Sequence, residues 1–217
     1  MVLNLVLTAI GAYLLGSIPP GIFWSHVVSK IDPRDHGSGR TGGTNVWRSA
    51  GFLPALLTAI SDALKGAAAI WLAKALGVSS WGQALAGTVA VLGHNHSLFL
   101  KFQGGAGTAT SLGAAAALWP LSLPILVLSG VAAGLLVGHA SVASILVAIL
   151  LPITFALHGT LPYAIGFGLP VMALTLLALR PNIHRLLRGE ERFLPIYRER
   201  PPLVRLSLHP TNNQKGD

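Results

Sequence analysis

Leu121-Ser-Leu-Pro-Ile-Leu-Val-Leu-Ser-Gly-Val-Ala-Ala-Gly-Leu-Leu-Val137 lies within the stretch that decides the fold, residues 102–179, which contains no Asp, Glu, Lys or Arg. An uncharged run of this length is too long for one soluble core and indicates several membrane spans. The whole chain of 217 residues is 52% hydrophobic and 10% charged, whereas soluble domains are about a quarter charged. The sequence therefore predicts an all-α, polytopic integral membrane bundle.

Prolines and glycines divide the apolar sequence into about seven predicted transmembrane helices. Their approximate ranges are 2–28, 52–76, 81–100, 107–119, 121–137, 141–158 and 161–179. Five or six spans remain possible, because short apolar runs do not fix the divisions at Pro120 and around His139. We expect residues 1–192 to form one membrane-embedded domain, and residues 193–217 to be a basic tail that is disordered or lies on the lipid surface.

The basic residues cluster in three regions, which follow the first, third and seventh predicted spans. With seven spans all three regions fall on one side of the membrane, which the positive-inside rule makes cytoplasmic. This places the N-terminus outside and the C-terminus in the cytoplasm. It also predicts that the three polar stretches of the chain converge.

The net charge of +8 could suggest a nucleic-acid partner. We exclude one, because the basic residues flank apolar segments, where anionic lipid heads attract them. The chain has no cysteine, which excludes disulfides, thiolate catalysis and cysteine-ligated metals.

Two glycine-rich stretches, 36–48 and 101–110, have the composition of a phosphate site. Glycines let backbone N–H groups approach an anion, and the hydroxyl groups and arginines of the first stretch add donors and charge. Neither stretch is a Walker sequence. A flexible loop between spans is the alternative for the first stretch. Because the adjoining spans could hold acyl chains, the expected substrate joins a phosphate to a lipid.

Ionisable residues also occur inside predicted spans. Asp62 and Lys65 are three residues apart on one helical face and can pair, either as a structural pair near the membrane surface or as a brace for the preceding loop. His94 and His96 could bind a metal, but residues i and i+2 of a helix face different directions. We therefore expect no metal site.

Four motifs carry a resemblance to a known family. They are GSGRTGGTNVWR at 37–48, SDALKG at 61–66, GHNHSLFLKFQGGAGTAT at 93–110 and NIHRLLRGEE at 182–191. In order and spacing these resemble the bacterial acyl-phosphate:glycerol-3-phosphate acyltransferase family. The resemblance implies a seven-helix enzyme of the bacterial inner membrane. The enzyme would transfer a fatty acyl group from acyl phosphate to the 1-position hydroxyl of glycerol 3-phosphate, giving lysophosphatidic acid, with no cofactor and no acyl-CoA.

The resemblance also implies the site residues. The residues implied as catalytic are Ser38, Arg48 and Asn182. The residues implied as substrate-binding are Gly37, Gly39, Thr44, Asn45, His94, Gly104, Gly105, Gly107 and Glu191. The charge pattern of the chain adds Lys101 as a predicted substrate-binding cation. For Asn182, a helix cap is the alternative role.

The sequence departs from the family pattern at several positions. Ala106 stands where the family usually has a lysine, and Leu179 where it usually has a histidine. Gln103 replaces another common lysine, while Arg40 and Thr41 replace the more usual Asn and Ile. These departures favour a second hypothesis, a diverged and catalytically weak paralogue that binds phosphorylated lipid or glycerol phosphate. A small transporter is a third possibility, but the chain shows no internal repeat.

Overall fold

The computed structural model describes residues 1–197, and these residues form helices and loops without a β-strand. The principal helices are α1 (Val2–Ser17), α2 (Pro20–Ser29), α3 (Gly43–Ala50), α4 (Phe52–Ala75), α5 (Ser80–Asn95), α6 (Thr108–Leu118), α7 (Ser122–Val137), α8 (Ala140–Leu157), α9 (Leu161–Tyr163), α10 (Leu169–Ala178) and α11 (Arg180–Leu187). A π-helical turn, Ala164–Gly168, joins α9 to α10. Short 3₁₀ helices lie at Pro33–Asp35, Leu98–Leu100 and Pro195–Tyr197. The predicted all-α class is confirmed.

Each of the seven predicted spans corresponds to a helical segment. Four segments are long and apolar enough to cross a membrane: Val2–Ser29, Phe52–Ala75, Ala140–Leu157 and Leu161–Ala178. The helix α6 has 11 residues, which extend about 16 Å at 1.5 Å per residue, well short of a hydrocarbon core of about 30 Å. The count of seven spans therefore stays a prediction.

Prolines interrupt the first long apolar segment. The helix α1 ends at Ser17 and α2 begins at Pro20, because a proline inside a helix removes a backbone donor and clashes with the preceding turn. The Ile18 carbonyl lies at this break and accepts a hydrogen bond of 2.8 Å from the Lys65 ammonium on α4. A side chain inside the bundle thus satisfies a carbonyl that no water in the bilayer could reach.

The helix α4 lies at the centre of the bundle and packs against α1, α2, α3, α5 and α6. Glycines permit the closest of these approaches. A Cβ atom on Gly66 would overlap the Thr110 carbonyl, and one on Gly113 would overlap the Ala63 backbone. Small residues at helix contacts let backbones approach, which is the usual way in which membrane helices associate.

The last helices pack on one another to form a second side of the bundle. The helix α8 contacts α7, α10 and the π-helical turn. Pro152 lies inside α8, and Gly168 of the turn packs directly on it, with no room for a Cβ atom. The groove between α7 and α8 faces the loops that carry the polar motifs.

The first residues of the predicted tail pack against the helices. The Phe193 ring stacks on the ring of buried His139, with centroids 4.6 Å apart, and the Leu194 N–H donates to the Gly138 carbonyl at 2.7 Å. The Tyr197 hydroxyl donates to the Leu135 carbonyl. We call residues 191–197 the C-terminal strap. The rest of the predicted tail, 198–217, lies outside the described residues.

Candidate active site

A cavity of about 520 Å³ lies where the polar motifs meet. Three separate polar stretches of the chain line it: the loop and helix at 38–48, the glycine-rich turn at 105–109, and the segment from 179 to 196. The convergence predicted from charge and span parity is confirmed. Nine of the predicted site residues line this cavity: Ser38, Thr44, Asn45, Arg48, His94, Gly105, Gly107, Asn182 and Glu191.

The other wall of the cavity is apolar. It comes mainly from α6, α7, α8 and the C-terminal strap, through Leu112, Leu126, Val127, Val131, Leu135, Val147, Leu194 and Ile196. Gly130 and Gly134 of α7 also line it, and because a Cβ atom on Gly130 would overlap the Val147 side chain, glycine there lets α7 approach α8 closely. A ligand with a polar head and a hydrocarbon chain matches this division.

Asn45 organises the first loop. Its Nδ2 lies 2.7 Å from the Pro33 carbonyl oxygen, 3.0 Å from that of His36 and 2.8 Å from that of Arg40, and its Oδ1 accepts from the Ser38 N–H at 2.8 Å. The side chain is 3% exposed. Both N–H groups of the amide and one lone pair of Oδ1 are used within the loop, so Asn45 shapes the site.

The glycines of this loop serve its backbone. Gly37 and Gly39 have φ angles of 60° and 69°, the left-handed region that favours glycine. A Cβ atom on Gly37 would also overlap the Asn45 amide oxygen. Both glycines are exposed and lie outside the cavity lining, and their geometry turns the chain so that Ser38 faces the cavity.

Two half-buried arginines line the polar end of the cavity. Arg48 on α3 donates through Nη2 to the carbonyls of Arg192 and Phe193, at 3.3 Å and 3.4 Å, while its buried Nε–H has no partner among the described residues. Arg40 donates to the Ala178 carbonyl at the end of α10. Burial lowers the pKa of both guanidinium groups from the ordinary arginine value, although arginine remains charged in proteins.

The third motif forms a small polar network. Glu191 is 7% exposed, and it accepts from Asn182 Nδ2 at 2.9 Å and from Arg185 Nε at 2.8 Å. Asn182 is near the start of α11, but no side chain caps that helix. The cap hypothesis for Asn182 is therefore wrong, and its amide instead fixes the carboxylate of Glu191 at the edge of the cavity.

Asp62, Lys65 and His94 form a buried polar cluster between α4 and α5. Asp62 Oδ1 lies 2.8 Å from Lys65 Nζ and 3.2 Å from His94 Nδ1, and all three side chains are at most 7% exposed. The Asp62 contact favours a proton on Nδ1 of His94. Nε2, which lies against Gly105, is then the acceptor side of the ring.

The second glycine-rich stretch packs against His94. The Gly105 N–H donates to the His94 carbonyl at 3.2 Å, and a Cβ atom on Gly104 would overlap the same carbonyl. Gly107 has a φ of 85° and precedes α6, whose first turn lines the cavity. Lys101 is exposed and, like Gly104, does not line the cavity.

Two of the departures from the family pattern replace a basic residue with an apolar one and lie on the cavity. Ala106 and buried Leu179 line it, so each leaves an apolar surface where the family usually has a basic side chain. Sequence reasoning counted Arg40 among the basic groups of the first stretch without giving it a role of its own, and of the C-terminal strap it assigned only Glu191 to the site. The signal for Arg40 was its position between Ser38 and Thr44, whereas nothing in the strap sequence distinguished Leu194 and Ile196 from a tail.

A helical bundle with a basic, glycine-lined cavity opening onto an apolar groove defines a class of protein: one that handles phosphorylated, lipid-like molecules at a membrane. Comparison with known proteins gives the family. The family model described as Glycerol-3-phosphate acyltransferase matches residues 6–189, and the chain belongs to that family.

Individual relatives agree with the family match. The chain is 45% identical over 193 residues to a glycerol-3-phosphate acyltransferase of Synechococcus sp. (strain JA-3-3Ab), covering 87% of this chain and 93% of the relative. It is 41% identical over 187 residues to one of Desulforudis audaxviator (strain MP104C), covering 86% and 94%.

Two solved structures share the fold. They are crystal structures of PlsY (YgiH), an integral membrane glycerol 3-phosphate acyltransferase, in its glycerol 3-phosphate form and in its lysophosphatidic acid form. The TM-scores are 0.78 and 0.80, and the sequence identities are 34% and 33%. The alignments cover 88% and 87% of this chain and 95% and 94% of the solved chains. The chain is therefore an integral membrane protein, as predicted.

Proposed function

We propose that this protein transfers a fatty acyl group from acyl phosphate to the 1-position hydroxyl of glycerol 3-phosphate, giving lysophosphatidic acid and phosphate. The observation that carries the proposal is the cavity itself: glycine loops and two arginines at one end, and an apolar groove between α7 and α8 at the other. The names of the relatives and the two ligand forms of the solved neighbours support the same reaction.

The cavity suggests how the substrates lie. The acyl chain occupies the groove between α7 and α8, and the polar groups lie against α3 and the turn before α6. Arg48 and Thr44 hold a phosphate oxygen, with the free Arg48 Nε–H as a donor. The backbone N–H groups of the glycine turns add donors that no side chain hinders. Ser38 orients a hydroxyl or phosphate oxygen.

The reaction we propose is a direct transfer. The glycerol hydroxyl attacks the acyl carbonyl carbon, the new ester C–O bond forms, and the bond between the carbonyl carbon and the phosphate oxygen breaks. The hydroxyl proton leaves with the phosphate or to solvent. Because phosphate is a good leaving group, the step needs no covalent intermediate on the protein. Donors at the polar end, Asn182 among them, stabilise the negative charge that develops on the carbonyl oxygen.

We also propose that the protein lies in the bacterial inner membrane with its N-terminus outside and its C-terminus in the cytoplasm. The support is the distribution of basic residues, since the basic loop 30–48 and α11 both contribute to one cavity. A reporter fused to each terminus, one active only in the periplasm, tests this orientation. Activity of the periplasmic reporter at the C-terminus would contradict it.

The test of the activity is an acyl transfer assay with palmitoyl phosphate and labelled glycerol 3-phosphate on the purified protein. We expect turnover by the wild type and a loss of at least about a hundredfold in kcat/KM for Arg48→Ala, since removing a group that stabilises transition-state charge costs about that much. Arg188→Ala is the matched control, because Arg188 is exposed and lies off the cavity. Full activity of both Ser38→Ala and Arg48→Ala would refute the site assignment.

The weak-paralogue hypothesis rests on one observation, the two apolar side chains of Ala106 and Leu179 in the cavity lining. The Ala106→Lys variant separates the two hypotheses. Turnover by the wild type supports the enzyme. An inactive wild type with an active Ala106→Lys variant identifies a decayed enzyme. A folded protein inactive in both forms that binds glycerol 3-phosphate supports a binding protein.

A further inference from the structure

The cavity carries an uneven distribution of charge. Its two carboxylates are each matched by a cation outside the lining: Asp62 by Lys65 at 2.8 Å, and Glu191 by Arg185 at 2.8 Å. Within residues 1–197, neither of the two lining arginines makes an ion pair with a carboxylate. The polar end of the cavity therefore presents two arginines that form no ion pair within the described residues.

The second of these charges, Arg40, is held in a position to act on a ligand. Its guanidinium donates one Nη2 hydrogen to the Ala178 carbonyl, and the arginine fork has five N–H donors in all. The anchor holds the guanidinium at the end of α10, where the next residue, Leu179, also lines the cavity. Other candidate cations are not there: Lys101 and Arg180 are exposed and do not line the cavity.

In the described part of the chain, the groups around Arg40 do not form an ion pair with it. The carboxylate that acts on the charge of Arg40 is Glu191, and it is already bonded to Asn182 and Arg185. Ala106 lines the same space and adds no polar atom. A desolvated guanidinium with spare donors and no counter-ion is a binding site for a phosphate group, which it can contact through two parallel hydrogen bonds.

We propose that Arg40 binds a phosphate group in the cavity and supplies the cationic contact that the side chain of Ala106 cannot make. Together with Arg48 it gives the site two phosphate contacts, one from each end of the first motif. The inference deepens the proposed function and rests on it only for the source of the phosphate, which is either the acyl phosphate or glycerol 3-phosphate.

The experiment measures inorganic phosphate binding by calorimetry on the detergent-solubilised protein, together with KM for each substrate. Arg40→Gln removes the charge and shortens the side chain, whose Nη2 makes the contact with the Ala178 carbonyl. We expect its phosphate affinity to fall at least tenfold, and the KM of one substrate to rise by a similar factor. The substrate whose KM rises identifies the source. Arg180→Gln is the matched control, with the same change of charge two residues beyond Ala178, and is expected to stay within twofold of wild type.

A second variant separates binding from a purely structural role. In the Arg40→Gln background, Ala106→Lys returns a cation to the cavity without restoring the anchor on Ala178. We expect it to recover at least half of the lost phosphate affinity on a logarithmic scale. An anchoring role alone predicts no recovery, and that result would overturn the proposal, as would wild-type phosphate affinity in folded Arg40→Gln.

If Arg40→Gln does not fold, Arg40→Lys takes its place. An ammonium lacks the planar fork that makes two parallel hydrogen bonds to a phosphate, so phosphate affinity should fall at least threefold, and an unchanged affinity would overturn the proposal. Phosphate binding is measured without turnover. An inactive wild type with Arg40-dependent phosphate binding would therefore refute the proposed function and leave this inference standing.

Discussion

The loop that carries Ser38 and Arg40 depends on one side chain, and removing it should open the loop. Asn45 faces three carbonyl oxygens through its amide and accepts from the Ser38 N–H. An amide has two N–H groups, so the side chain makes the equivalent of about three full hydrogen bonds, each contributing about 1 kcal/mol net. Asn45→Ala should therefore destabilise the closed loop by about 3 kcal/mol.

That free energy corresponds to a roughly hundredfold change in the opening equilibrium, at a factor of ten per about 1.4 kcal/mol. Limited trypsin cleavage after Arg40, which is half-buried in the closed loop, should accelerate by about that factor, and kcat/KM for acyl transfer should fall in parallel. Ser49→Ala is the matched control, because the Ser49 hydroxyl contacts only carbonyls of its own helix, those of Asn45 and Val46. If Asn45→Ala were cleaved at the wild-type rate and kept full activity, the loop would not depend on this side chain.

Two further predictions concern the bundle, with the thermal melting temperature in detergent as the measurement for both. Lys65→Met leaves the buried Asp62 carboxylate without its cation and the Ile18 carbonyl without its donor, which should cost about 3–5 kcal/mol. Adding Asp62→Asn should recover part of that loss. A double variant less stable than Lys65→Met would contradict this account. Gly113→Val places a side chain against the α4 backbone and should destabilise by about 1–3 kcal/mol or more. Gly42→Ala, with open space around its Cβ position, should change stability little, and an equal loss in both glycine variants would refute the packing argument.

The helices and their convergence could be predicted from the sequence because hydropathy and charge act over long segments. The uncharged run 102–179 can satisfy its backbone only as helices if it lies in lipid, and the basic residues predict which loops share a side. The division expected near Pro120, which the apolar pattern alone did not fix, does separate α6 from α7. The number of membrane spans could not be predicted in the same way, because α6 is shorter than the hydrocarbon core and hydropathy does not show whether it crosses.

The roles of single polar residues could be predicted less well, since they depend on partners distant in sequence. The Glu191 carboxylate accepts from Asn182 and Arg185, and nothing in the sequence distinguishes this network from an N-terminal cap. The partner of Arg40 is a backbone carbonyl 138 residues away, which no sequence pattern encodes. Asp62 and Lys65 were paired correctly from their spacing, but the third member, His94, comes from another helix.

The C-terminal strap extends the lining of the cavity beyond the end of the family match. The family match stops at residue 189, yet Glu191, Leu194 and Ile196 all line the cavity, and Arg48 donates to the two carbonyls between Glu191 and Leu194. A boundary drawn from the family match would preserve the glycine motifs and the membrane helices. A protein ending at Gly189 would have all of these and still lack the part of the cavity lining that Glu191, Leu194 and Ile196 form.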